Sequence, residues 1–284
     1  MGNLPFSRMG GTDNKENIML KIGLIGAGAL AHTFCGHFKE VLGETCKLVG
    51  IYSRTFEKAE QLATAANAPA FATLEALLAT KPDYVIELAG VPALKAYAET
   101  VLASGANLVA VSAGALADPD FKAKAAAAAQ AAGTRLIVPH GAIAALDLMQ
   151  ACALMGGAEL EFETRKAPKS LEGAPGLGGR VLSKTEEETA FEGSIGEAIK
   201  GFPKNVNVAV AAASACGTPE ARMKLRSIPG LKATTHSIRI KTSQMHAEIT
   251  VTAGPDPANP RTSTSTAWSV LAFLKSLTSP IAFF

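Results

Sequence analysis

Lys21-Ile-Gly-Leu-Ile-Gly-Ala-Gly-Ala-Leu-Ala31 is the stretch whose reading decides the fold. A short apolar strand runs straight into Gly26-x-Gly28-x-x-Ala31. Gly26 permits a tight turn off the strand, Gly28 has no side chain and lets a pyrophosphate approach the backbone, and Ala31 lets the next helix pack closely. Ala29 to Leu42 reads as that helix, whose unpaired N–H groups and positive end would face the phosphates. The backbone at Gly26, Gly28, Ala29 and Leu30 is therefore expected to contact a dinucleotide. The plain alternative is a glycine turn in a buried strand, but a strand before and a helix after are the context a dinucleotide site requires.

Such a site usually carries an acid at the end of the second strand, about 20 residues on, which binds the ribose 2′-OH of NAD. The second strand here reads Lys47-Leu-Val-Gly-Ile-Tyr52 and is followed by Ser53, Arg54 and Thr55, with no acid. A hydroxyl and a guanidinium suit a 2′-phosphate through charge-assisted hydrogen bonds. Ser53 and Arg54 are thus read as cofactor-binding, with NADP favoured over NAD, against the alternative of a solvated loop arginine.

From residue 21 to about 140 short strands alternate with helical runs. The strands are Lys21–Ile25, Leu48–Tyr52, Tyr84–Glu87, Asn107–Val111 and Arg135–Val138. The helical runs are Phe56–Ala66, Leu74–Ala79, Pro92–Ser104 and Pro119–Ala132. This βα alternation predicts an α/β fold, a doubly wound parallel sheet of the Rossmann kind. Ligands bind at the carboxyl edge of such a sheet. Two strand ends there, Glu87-Leu-Ala-Gly90 and Val111-Ser-Ala-Gly-Ala115, carry small residues that let a flat cofactor lie over the sheet. Ala89, Gly90, Ser112 and Ala113 join the expected cofactor contacts.

Composition narrows the rest. With 284 residues, 48% of them hydrophobic and 18% charged, the chain can bury one large core or two moderate ones. A net charge of +2 gives no argument for a nucleic-acid partner, and the longest apolar runs are alanine-rich helix, not membrane spans. Cys35, Cys46, Cys152 and Cys216 match no zinc or CxxC spacing and read as buried thiols in a reducing cytoplasm. No metal site is implied. Residues 1–20 lack a signal peptide's apolar centre and read as a flexible polar extension. Glu186-Glu187-Glu188 reads as a solvated helix face.

After Pro139 the texture changes. His140-Gly-Ala-Ile-Ala-Ala-Leu-Asp147 leads into an apolar helix ending near Gly156-Gly157. Strand-like alternation follows at Glu159–Lys166, Thr189–Glu192, Lys232–Lys241 and Met245–Thr252, with Gly/Pro-rich loops at Leu171–Gly179 and Asp256–Pro260. A final helix is expected over Thr262–Leu277, capped by Thr or Ser, with Trp268, Leu271 and Leu274 at helical spacing. The expected organisation is a dinucleotide-binding domain at 21–140 completed by 262–284. A second, α+β domain at 141–261 carries substrate binding and dimerisation.

Four stretches of the second half, Pro139–Asp147, Thr164-Arg-Lys-Ala-Pro168, Phe191–Ala198 with Phe202–Ala209, and Asn259-Pro-Arg-Thr-Ser263, carry a resemblance. With the glycine turn and Val111–Ala115, and with His236 upstream of the last motif, the chain resembles the L-aspartate dehydrogenase family. The resemblance implies NAD(P)-dependent interconversion of L-aspartate with iminoaspartate, and so with oxaloacetate and ammonia. It implies a second domain with a mixed sheet, a homodimer, His236 as the acid/base, and Asn207 and Ala142 as cofactor contacts. An aspartate-like dicarboxylate needs cationic partners; Lys166 and Arg261 are the candidates, helped by Thr262 and Ser263, with Arg165 and Lys204 as runners-up. Asn205 shares a face with Asn207 if the segment is extended and diverges from it if helical. Where the family often has Asp-Pro and Asn before the histidine, this chain has Ser227-Ile-Pro-Gly230 and Thr234-Thr235, which leaves the orienting partner of His236 open. Two other readings stand beside this one: an NADP oxidoreductase for another small amino or hydroxy dicarboxylate, and a non-catalytic NADP(H) sensor.

Overall fold

The computed structural model describes residues 19–256, 259–263 and 265–283, the side chains of 255–264 excepted. The first half alternates as expected: β1 (Leu20–Ile25), α1 (Ala29–Leu42), β2 (Cys46–Tyr52), α2 (Phe56–Ala66), β3 (Ala70–Phe71), α3 (Leu74–Leu78), β4 (Tyr84–Glu87), α4 (Val91–Ala103), β5 (Asn107–Ala110), α5 (Pro119–Ala132) and β6 (Leu136–Ile137). The strands form one six-stranded sheet in the order β3-β2-β1-β4-β5-β6, and every pairing is parallel. This is the doubly wound order, whose direction of winding reverses between β1 and β4 and opens a crevice there. Local chemistry ends the helices where the sheet needs them to end. Asp118 caps α5 by accepting from the Asp120 and Phe121 N–H groups, Pro119 follows at the first helical position, and Gly133 closes it in the left-handed conformation.

The second half comprises α6 (Leu146–Met155), β7 (Glu159–Lys166), β8 (Glu188–Ser194), α7 (Ile195–Gly201), α8 (Asn207–Cys216), β9 (Arg222–Ser227), β10 (Thr234–Lys241), β11 (His246–Ala253), β12 (Pro255–Asp256), β13 (Asn259–Ser263) and α9 (Ser265–Thr278). Five of these strands form a mixed sheet ordered β11-β10-β7-β9-β8, in which β7 and β9 are parallel and the other pairs antiparallel. Its inward face carries Leu160, Phe162, Met223, Leu225, Ile238 and Ile240, packed with α6, α7 and α8 into one core. The outward face is polar, with Arg239 paired to Glu161 at 2.7 Å and to Glu248 at 3.0 Å.

Helix α9 returns to the first sheet. Ala267, Val270, Leu271 and Leu274 are buried in the same core as Ile22, Leu24 and Phe34. Burying each of the two leucines stabilises the domain by about 2 kcal/mol. All four cysteines are buried free thiols, and burial pushes the Cys35 thiol up to about 12. Among the described residues no helix is long and apolar enough to cross a membrane.

Several local expectations give way. β9 alternates buried Met223, Leu225 and Ser227 with Arg222, Lys224 and Arg226, a period-two strand masked by its charge. The last helix begins at Ser265, and the backbone of Thr262 and Ser263 lies in β13 instead of capping it. Glu186 and Glu187 lie in a loop and Glu188 opens β8, so this acidic run is not a helix face. Trp268 keeps 42% of its surface exposed and lies over the His37 ring at 4.5 Å instead of entering the core.

Candidate active site

The turn after β1 has the shape that its residues require. Gly26 adopts φ +120°, and a Cβ there would stand 2.5 Å from the Leu88 carbonyl oxygen, so any side chain would collide with the end of β4. Gly28 caps α1 without a side-chain hydrogen bond, and the space where its Cβ would point is open. No acid lies in the first turn of α1. The start of this helix therefore offers N–H groups without intrahelical partners and a positive end, which fits a pyrophosphate. Ser53 is half-buried and Arg54 exposed just beyond β2. The ends of β4 and β5 stand beside this turn: Ala89 is exposed, while Ser112 and Ala113 are buried.

The second sheet assembles the other wall. In the antiparallel β7–β10 pair, His236 stands directly opposite Thr164. Both point inward and both are buried, at 4% and 0% exposure. Their side chains meet at 3.0 Å, Thr164 Oγ1 to His236 Nδ1. That bond holds the ring by one nitrogen and leaves Nε2 for chemistry. The Phe162 ring, two residues before Thr164, packs against the imidazole at 5.8 Å. Lys166, two residues after Thr164, falls on the same face by the period of a strand. Its ammonium donates to Asn205 Oδ1 at 3.1 Å.

Asn205 lies in the turn before α8 and Asn207 begins that helix, so the two amides diverge. Asn207 Oδ1 accepts the Gly114 N–H at 3.2 Å. A Cβ at Gly114 would sit 2.4 Å from that oxygen, so glycine is what lets α8 come this close to the end of β5. Three hydrogen bonds thus stand in series along the chain, His236 to Thr164, Lys166 to Asn205 and Asn207 to the Gly114 N–H just beyond β5, with the backbone between them. Ala142 is buried in the turn before α6. The turn is pinned by the Gly141 N–H donating to Ser269 Oγ at 3.2 Å and by His140 Nδ1 meeting the Ile143 carbonyl at 2.8 Å.

Electrostatics sharpen the pair of titratable groups. Burial, and then repulsion from Lys166, pulls the His236 imidazole down to about 4. Burial pulls the half-buried Lys166 ammonium down to about 8. His236 is therefore neutral at neutral pH, with a free lone pair but as a weaker base than an ordinary imidazole, below the near-neutral value that best suits acid/base work, while Lys166 still carries charge. The same shift has a stability consequence. The unfolded histidine binds its proton near its ordinary 6.5 and the folded one only near 4, so stability is lost as pH falls through that window. Going from pH 7 to pH 5 is expected to cost about 2 kcal/mol through this group alone. Urea unfolding of wild type and His236→Leu at the two pH values measures it: the wild type should lose more stability than the variant, and equal losses would contradict a buried neutral imidazole.

Of the residues read as substrate-binding, Lys166 stands beside His236. The side chains of Arg261, Thr262 and Ser263 lie outside the described residues. The two runners-up are placed elsewhere. Arg165 points to the opposite face of β7 and pairs with Glu163 at 2.6 Å, and Lys204 is exposed. Thr164 and Asn205 carry no role that the sequence alone points to. Thr164 is the orienting partner of His236 that the altered loop before the histidine left open. Its signal was available in principle, because it lies two residues before Lys166 in a strand, but the pairing with a histidine 72 residues away was not.

A nicotinamide-type dinucleotide domain joined to a mixed-sheet domain with a buried histidine and a cationic side chain at the junction defines the class: a two-domain, nicotinamide-dependent oxidoreductase. Comparison with known proteins agrees. Residues 147–277 match the aspartate dehydrogenase C-terminal family, and residues 26–139 match the NAD-binding domain of homoserine dehydrogenase. The chain is 35% identical over 257 residues to L-aspartate dehydrogenase 2 of Bordetella pertussis, covering 90% of this chain and 96% of that one. It is 30% identical over 264 residues to the L-aspartate dehydrogenase of Methanocaldococcus jannaschii, covering 93% and 98%. The crystal structure of aspartate dehydrogenase from Thermotoga maritima superposes with a TM-score of 0.73 at 23% identity, over 93% of this chain and 99% of that one. The chain belongs to the L-aspartate dehydrogenase family.

Proposed function

We propose that this chain oxidatively deaminates L-aspartate to iminoaspartate, and hence to oxaloacetate and ammonia, and runs the reverse reductive amination. The observation that carries this reading is the placement of a buried histidine, held by Thr164, and the half-buried Lys166 on one sheet face. That face is linked through Asn205 and Asn207 to the carboxyl edge of the dinucleotide sheet. The bound nicotinamide supplies the hydride acceptor. The chain's own residues do the rest. Lys166 meets a substrate carboxylate, with Arg261, Thr262 and Ser263 as partners for the second. His236, held by Thr164, takes a proton at Nε2 from the substrate ammonium or from the water that attacks the imine. Gly26, Gly28, Ala29, Leu30, Ser53, Arg54, Ala89, Gly90, Ser112, Ala113, Ala142 and Asn207 line the cofactor.

In this reading residues 21–140 with 262–284 form the cofactor domain, and residues 141–261 bind substrate and carry the interface of a homodimer. The polar outward face of the mixed sheet is the surface available for that interface. The setting is the cytoplasm, in keeping with four free buried thiols. A panel of L-aspartate, D-aspartate, L-malate and L-glutamate with NADP+ and NAD+ tests the substrate. Turnover confined to L-aspartate supports the assignment, and turnover of L-malate instead would move it to a hydroxy acid.

Cofactor choice rests on Arg54 and the missing acid after β2. Removing an exposed guanidinium from a 2′-phosphate should weaken NADPH by about tenfold and leave NADH nearly unchanged. Titration of Arg54→Ala with both cofactors reads this directly, and an unchanged NADPH affinity would mean that NADP is selected by something else.

A further inference from the structure

Glu87 ends β4 and is 1% exposed, and the proposed mechanism does not use it. Its carboxylate is surrounded by donors. Oε1 accepts from the N–H groups of Ala89 and Gly90, both at 2.7 Å, and from the Ser112 hydroxyl at 2.9 Å. Oε2 accepts from the Ser112 N–H at 3.0 Å. Three of these four donors are backbone amides, which can only donate, so they select the ionised form of the acid. Burial pushes this carboxyl up from its ordinary value, and all four hydrogen bonds pull against that shift. A neutral glutamine would turn an NH2 group toward one of those amides, so even a brace for these loops calls for a carboxylate, and the four bonds alone do not separate a brace from a second role.

The position of the charge points to a second role. β4 is the first strand past the reversal of sheet order, so its carboxyl end belongs to the mononucleotide half away from Arg54 and the 2′-phosphate side. That half takes the nicotinamide. The ring is cationic when oxidised and neutral when reduced, and a fixed negative charge near it distinguishes the two.

We propose that Glu87 is a redox-discriminating residue: its buried carboxylate at the end of β4 stabilises the oxidised nicotinamide relative to the reduced one. The proposal rests on the cofactor-edge assignment above and is independent of which acid is the substrate. Glu87 acts through the charge it holds beneath the Ala89-Gly90 and Ser112 backbone, and the same four bonds shape those two loops.

The test is a pair of dissociation constants, for the oxidised and the reduced cofactor, measured on the purified chain by calorimetry or nucleotide fluorescence without substrate. In Glu87→Gln the oxidised form should weaken about tenfold more than the reduced form, so that their ratio shifts by that factor. Ser112→Ala removes one of the bonds that hold the ionised form against burial, so the carboxyl rises and the ratio should move in the same direction as in Glu87→Gln, by at least about twofold. Circular dichroism and thermal melts report whether each variant is folded; if Glu87→Gln is not, the Ser112→Ala ratio decides. Equal weakening of both forms in Glu87→Gln would show a brace alone and overturn the proposal, as would an unmoved ratio in Ser112→Ala. A failed aspartate assay with an intact ratio shift would sink the substrate assignment and leave this inference standing.

Discussion

His236→Ala should lower kcat for L-aspartate oxidation by roughly 10²- to 10⁴-fold, the usual contribution of a positioned general base. Cofactor affinity should stay within about twofold, because the imidazole stands on the second sheet and touches Thr164 and Phe162, not the glycine turn. The variant carries a structural cost as well. It leaves the Thr164 hydroxyl, now the partner of Nδ1, buried without that bond, which costs about 1–3 kcal/mol. The melt should therefore drop but the fold persist, and kcat is to be compared only at a temperature where both proteins are folded. A kcat that survives within about fivefold would remove His236 from the chemistry and leave it as a satisfied core histidine.

The second large effect is expected at Lys166. The ammonium is pulled down to about 8 by burial, has one amide partner in Asn205, and lies on the same strand face as the histidine. A charge held this way at a dicarboxylate site is worth more than a surface lysine, because losing it leaves a substrate carboxylate without its counter-ion in a poorly solvated place. Lys166→Met should raise the aspartate KM by about 100-fold with a smaller change in kcat, the signature of lost ground-state binding. It should also release His236 from one of the two influences that depress it, so the imidazole rises, while burial, the larger influence, keeps it below its ordinary value. Steady-state kinetics and the histidine NMR titration read the two effects separately. A Lys166→Met enzyme with unchanged KM would hand the carboxylate to Arg261 or to β13.

Much of the first sheet could be read directly from the chain, because each βα unit is local. Gly26, Gly28 and Ala31 announce the turn, and the caps at Asp118 and Gly133 bound a helix within a few residues. The second sheet was less legible for a physical reason. Its order, β11-β10-β7-β9-β8, joins strands distant in sequence, and nothing local says that β7 lies between β9 and β10. β9 was hidden because Arg222, Lys224 and Arg226 outweigh Met223 and Leu225 by composition, although period two separates them cleanly. His236 and Lys166 came from motif resemblance, whereas their meeting at Thr164 came from strand register. Arg165 shows what the period alone could have decided: it is one residue from Lys166 and so on the other face. The partner of His236 does not sit in the loop before it, and for that reason the departure at Ser227-Ile-Pro-Gly230 leaves the ring held from across the sheet.

Run in reverse, the proposed reaction reductively aminates oxaloacetate. The most direct measurement follows NADPH and NADH oxidation with oxaloacetate and ammonium, with the product's chirality read by chromatography. L-aspartate formed at a rate dependent on ammonium, and faster with NADPH, is the expected result. Cofactor bound but not oxidised, or L-malate formed with or without ammonium, would contradict it.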